Sequence, residues 1–102
     1  EPVVPDRPIE HPERYAEVAL TSAADRVAGA AVGSRNDTLN KAAFAMGRLV
    51  GAGLIDAAEV RRELEAAARR CGLGRSETRR TIASGLTAGV RAPITRARRG
   101  AA

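Results

Sequence analysis

Apolar residues return along this chain at helical spacing, in four separate runs. Leu20, Ala24, Val27 and Ala31 fall at i, i+4, i+7 and i+11. Leu39, Ala43, Met46 and Val50 repeat that spacing, as do Val60, Leu64, Ala67 and Cys71, and Ile82, Leu86 and Val90 make a shorter line. Each set marks one face of an amphipathic helix. Gly33, Gly51 with Gly53, and Gly72 with Gly74 fall between the runs, where helix ends favour glycine. The pattern predicts a first helix over about 12–31, with Pro12 in its first turn and Glu13 and Glu17 near its positive end. A second runs over about 37–50. Leu54 and Ile55 then return to the core, and a third helix opens on the capping-box pattern Asp56-x-x-Glu59. The fourth covers about 77–90, with Ser76 as its N-cap. Leu39, Met46, Leu64, Ile82 and Leu86 are expected to be buried.

Composition sharpens this to an all-α fold, a small bundle of four main helices. The chain has 102 residues, enough for one core. Tyr15 and Phe44 are its aromatics, so the core is built from Leu, Ile, Val and many Ala, whose small side chains let helices pack closely. Pro2, Pro5, Pro8 and Pro12 make residues 1–12 a linker or a packed arm, with Val3, Val4 and Ile9 as possible anchors. The bundle occupies 13–92. Residues 93–102 read as a flexible basic tail carrying Arg96, Arg98 and Arg99.

Charge is uneven. Residues 1–33 hold six acidic and three basic side chains, net −3, and the remainder holds 14 basic and six acidic, net +8. Of the 17 basic residues 16 are Arg, which suits bidentate phosphate contacts and an anionic partner. Cys71 and His11 are each the single residue of their type, so neither a disulfide framework nor a metal cluster is expected. Cys71 ends an apolar stripe and reads as a small core residue. Without a signal peptide or membrane-length apolar run, a reducing, cytoplasmic location is expected. The absence of an initial Met suggests a piece of a longer protein.

Candidate chemistry gathers at Gly33-Ser34-Arg35-Asn36-Asp37-Thr38-Leu39-Asn40-Lys41. A helix start offers unpaired N–H groups and partial positive charge, and Arg35 and Lys41 add full charges, which makes a seat for a phosphate. The simpler alternative is that Asn36 or Asp37 caps the helix. On the fourth helix, Gly85 and Gly89 are four apart and permit close approach of another backbone. The hydroxyls of Thr81 and Ser84 beside them also suit a phosphate or sugar. Catalytic machinery is not legible: Gly47-Arg48-Leu49-Val50-Gly51 lacks the Gly-Lys-Ser/Thr ending of a Walker loop. Glu59, Glu63 and Glu65 read as solvated partners of Arg62 and Arg69.

The run Gly33 to Asn40, then Ala42-Ala43-Phe44, Leu49-Val50, Gly53-Leu54-Ile55, Val60, Leu64, Ala67-Ala68, Gly72-Leu73, Glu77 and Thr81 to Leu86, resembles the small C-terminal helical (PriCT-like) domain of bifunctional DNA primase-polymerases of plasmids, phages and actinobacteria. Asp37 stands where the family hallmark, Gly-x-Arg-Asn-Asn-Thr-Leu, has a second Asn. The resemblance covers roughly residues 32–92. It implies a non-catalytic helix bundle that binds single-stranded template DNA and an initiating nucleotide, ATP or another NTP with Mg, for a catalytic primase-polymerase domain in the same chain. Carried over by position, Arg35, Asn36, Asn40 and Lys41 form one candidate set, and Arg79, Arg80, Thr81 and Ser84 a second. Together they are expected to line one basic concavity between the second and fourth helices. Two other functions fit the same residues: a protein-docking module joining a primase to a helicase, and a helix-turn-helix-like duplex binder.

Overall fold

The computed structural model describes residues 10–95. Four helices follow one another: α1 (Pro12–Ala28), α2 (Arg35–Gly51), α3 (Ala57–Cys71) and α4 (Arg75–Val90). Among the described residues there is no strand, and the fold is the expected small all-α bundle. No helix among the described residues is long and apolar enough to cross a membrane.

The helix ends depart from the sequence pattern in physically readable ways. α1 begins at Pro12, with Glu13 in its first turn, but stops at Ala28 rather than Ala31. Ala31 and Val32 are exposed, Val32 to 82%, so no burial rewards a longer helix, and Gly33 turns the chain into α2 at φ +99°. Ser34 is the N-cap of α2, so Asn36 and Asp37 are not caps but lie inside its first turn. Asp56 takes the N-cap position of α3 with extended backbone, yet makes no side-chain cap bond, so the box with Glu59 is not formed. α4 starts at Arg75, with Gly74 as N-cap. Ser76 is not the cap: its Oγ accepts a hydrogen bond from Arg80 Nη1 at 2.9 Å.

The five residues expected in the core are all buried: Leu39, Met46 and Leu64 completely, Ile82 and Leu86 nearly so. Leu20, Ala24, Val27, Ala43, Val60 and Ala67 join them, and Leu54 re-enters behind α2 as its position implies. The last member of each stripe fares worse. Ala31 and Val90 are exposed and Val50 is half-buried. Cys71 is also half-buried, with its Sγ donating to the Ala68 carbonyl at 3.4 Å. Glu59, Glu63 and Glu65 do not pair with Arg62 or Arg69; among the described residues the one ion pair within 4.0 Å is Lys41–Asp37, at 3.2 Å.

The seam between α2 and α4 is the most extensive helix–helix contact, and it is lined with glycine. A Cβ added at Gly89 would fall against the Phe44 carbonyl oxygen and within 2.8 Å of the Gly47 Cα. One at Gly47 would come within 2.5 Å of the Leu86 carbonyl oxygen, and one at Gly85 within 2.8 Å of the Asn40 carbonyl oxygen. Gly85 and Gly89 therefore serve close helix packing. Beyond α4 the chain stays with the bundle as far as Ile94, which is buried, so the tail does not begin at residue 93. Ile94 N–H donates to the Arg48 carbonyl at 3.3 Å, and Arg48 Nε to the Ala92 carbonyl at 2.7 Å. Val3, Val4 and Ile9, and Arg96, Arg98 and Arg99, lie outside the described residues.

Candidate functional site

The start of α2 meets the first half of α4 directly. Asn36 Nδ2 donates to Thr81 Oγ1 at 2.6 Å and to Glu77 Oε2 at 3.0 Å. Glu77 and Thr81 are one helical turn apart, so a single amide in the first turn of α2 bridges two successive turns of α4. One turn further along both helices, Asn40, Lys41, Phe44, Ser84, Gly85 and Ala88 line a shallow cleft of about 280 Å³. The glycine seam makes this cleft: with no side chain at Gly85, the flanking side chains stand over a backbone floor.

Of the eight predicted residues, the structure brings Asn40, Lys41 and Ser84 into the cleft and ties Asn36 to Thr81 at its head. Arg80 lies one turn before Ser84 on the same flank of α4. The ammonium of Lys41 is shared with the exposed Asp37 carboxylate on α2's own outer face. That surface pair is worth only a few tenths of a kcal/mol, so Lys41 is easily redirected to an anion.

Arg35 and Arg79 do not join them, and the single concavity ringed by Arg35, Lys41, Arg79 and Arg80 is not formed. Arg35 turns toward the end of α3, where its Nη1 donates to the Cys71 carbonyl at 2.5 Å. It holds an open helix end rather than the cleft. Arg79 is two residues from Thr81 on α4, and at 3.6 residues per turn such a pair points to nearly opposite sides. With Thr81 on the α2 side, Arg79 emerges on the other flank.

Two cleft residues were not among the candidates. Ala88 is one turn beyond Ser84, and Phe44 is one turn beyond Asn40. Phe44 is 36% exposed, an aromatic left at the surface of a chain with two. Its displacement from the apolar stripe of Leu39, Ala43 and Met46 was the signal available in the sequence. The side chains of Asn40, Phe44 and Ser84 make no hydrogen bond or ion pair with other described residues, so a ligand meets them unengaged.

A larger open cleft, about 800 Å³, lies at the other end of α2, between Glu10–Arg14 and Gly53–Asp56. Glu10, Glu13 and Asp56 give it acidic character. Among the described residues no three or more of His, Cys, Asp and Glu gather closely enough to hold a metal ion. Comparison of the chain with protein-family models, with curated proteins and with solved structures found no match.

Proposed function

We propose that this chain is a non-catalytic nucleic-acid-binding domain that holds single-stranded template DNA, together with an initiating nucleotide, for a primase-polymerase catalytic domain. The observation that carries the binding half of this reading is the α2–α4 cleft, where Asn40, Lys41, Ser84 and an exposed Phe44 converge beside Arg80. A cation, an amide, a hydroxyl and one aromatic face match the parts of a nucleotide: phosphate, base edge, sugar and base plane. The primase context comes from the motif resemblance of residues 32–92.

α4 lies along α2, with Gly85 and Gly89 against backbone, so its glycine face is spent on packing rather than presented to a DNA groove. This favours a single strand over a duplex. Docking of a helicase draws on the same exposed surface and is separated by experiment. Titrating the chain with ATP, a single-stranded oligonucleotide and a duplex, at two salt concentrations, is the test. Single-strand binding that weakens with salt, and that drops for Lys41→Gln and Phe44→Ala, is expected. Phe44→Ala should lose about 1–3 kcal/mol if a base stacks there. Binding of none of the three supports docking, and a preference for duplex supports the third reading. The chain itself should neither hydrolyse ATP nor extend a primer.

A further inference from the structure

We propose that the corner where α3 turns into α4 is a second contact for a nucleic-acid backbone, separate from the cleft and on the opposite flank of α4. The inference rests on the nucleic-acid reading above and extends it from a nucleotide-sized cleft to a strand. Arg69 and Arg70 stand in the last turn of α3, and Arg75 and Arg79 in the first two turns of α4. The connection between the helices is only Gly72-Leu73-Gly74, so these four arginines sit on the two helix ends that flank one short loop. All four are exposed, and none has an ion pair or side-chain hydrogen bond to another described residue. Glu77 is the only carboxylate between residues 66 and 80, and it is occupied on the other flank by Asn36.

A fifth guanidinium is built into the floor. Arg35 reaches over from α2, donates to the Cys71 carbonyl, and fits there because residue 72 is glycine: a Cβ on Gly72 would come within 2.6 Å of Arg35 Nη1. The fold therefore adds a half-buried positive charge at the same loop; the nearest carboxylates in sequence are Glu65, one turn before Arg69, and Glu77, which accepts from Asn36 on the other flank of α4. Like charges so grouped repel until an anion joins them. Guanidinium rather than ammonium throughout suits the two-oxygen edge of a phosphodiester.

A strand fits better than a free phosphate, because the charges are spread along two helix ends instead of converging on one point. It also fits the neighbouring cleft. Arg79 and Arg80 are consecutive, so the corner and the cleft flank the same turn of α4, and one strand crossing that turn meets both. A lipid surface needs an apolar face beside the charge, and here the loop offers Gly72 and Gly74, with Leu73 half-buried against the core.

The test is the salt dependence of binding to a labelled thymidine oligonucleotide of about 20 residues, longer than the roughly 4–16 that a small single-strand-binding fold covers. The corner variant R69Q/R70Q/R75Q/R79Q should flatten the plot of log affinity against log salt by about 0.7 for each phosphate it no longer neutralises, up to about 3 for four. The matching Arg→Lys variant should keep the wild-type slope. Binding of an oligonucleotide of about 4 residues, which occupies the cleft alone, should be indifferent to the corner. R69Q/R70Q and R75Q/R79Q, made separately, should each remove about half of the effect, and they serve if the fourfold variant does not fold. A wild-type slope in the corner variants overturns the second contact while the cleft reading stands. So does equally tight binding of polyglutamate or of inorganic phosphate to the corner. Wild-type protein that binds no oligonucleotide overturns both.

Discussion

Two pairs of helices hold this bundle together by opposite means. α1 and α3 bring side chains to the core: Leu20, Ala23 and Val27 on one, Val60, Leu64 and Ala67 on the other, all buried. α2 and α4 meet across a seam from which side chains are missing, with Gly47, Gly85 and Gly89 allowing backbone to touch backbone. The first kind of contact fails when atoms are removed, the second when atoms are added. The candidate site belongs to the second kind, since its cleft exists only because α4 lies so close to α2.

The largest effect expected from breaking this contrast is on the side-chain half. Leu64→Ala should cost about 2–5 kcal/mol through the cavity it leaves, read from chemical denaturation. A loss below half a kcal/mol would mean that Leu64 does not fill the core. The complementary change is Gly89→Ala. Alanine is the better helix former by about 1 kcal/mol, but the added methyl meets the Phe44 carbonyl, Gly47 Cα and Arg48 N, all backbone. Overpacking costs about 1–3 kcal/mol and sometimes more, so the net effect should be destabilising, and the cleft should open with it. A stabilised Gly89→Ala protein with unchanged oligonucleotide binding would show that the seam is looser than its geometry.

Arg35→Ala lies outside both halves and should be intermediate. Loss of its charge-assisted bond to the Cys71 carbonyl should lower stability by about 1–2 kcal/mol, with affinity per folded molecule falling less than for Lys41→Gln. The smallest effect should come from Gly74→Ser. Gly74 holds the N-cap of α4 at φ −69°, ψ 153°, with nothing within 4 Å of an added Cβ. A serine oxygen there can accept from the first free N–H groups and should stabilise by a few tenths of a kcal/mol in thermal melts.

The helices and their buried stripes were legible because a 3.6-residue period needs no knowledge of the partner. Leu39, Met46, Leu64, Ile82 and Leu86 are buried for that reason alone. Helix ends were less legible. Ala31 and Val32 are sound helix residues left outside α1 because nothing covers them, and Ser76 loses the cap to Gly74, whose extended backbone already turns the chain. For the site, the opposition of Arg79 and Thr81 was written in the sequence, since two residues apart on a helix is nearly half a turn. Which of them would face α2 was not, because that depends on where the glycine seam lets α4 settle. Arg35 was misplaced for a similar reason: the Cys71 carbonyl that receives it lies 36 residues away.

The pinning of Ile94 to the far end of α2 bears on where the described chain enters and leaves the bundle. The chain enters at Glu10–Arg14, against Gly53–Asp56, and leaves past Arg48, so both crossings are at one pole. α2, 17 residues long, carries its other end about 25 Å away, where Asn36 and Arg35 meet α4 and α3. Glu10 and Ile94, near the two ends of the described chain, therefore lie at the pole opposite the Arg-rich corner. For the same reason a short linker from 95 back to 10 gives a circularly permuted bundle without crossing the cleft, and the new ends can be opened in the exposed turn between α1 and α2.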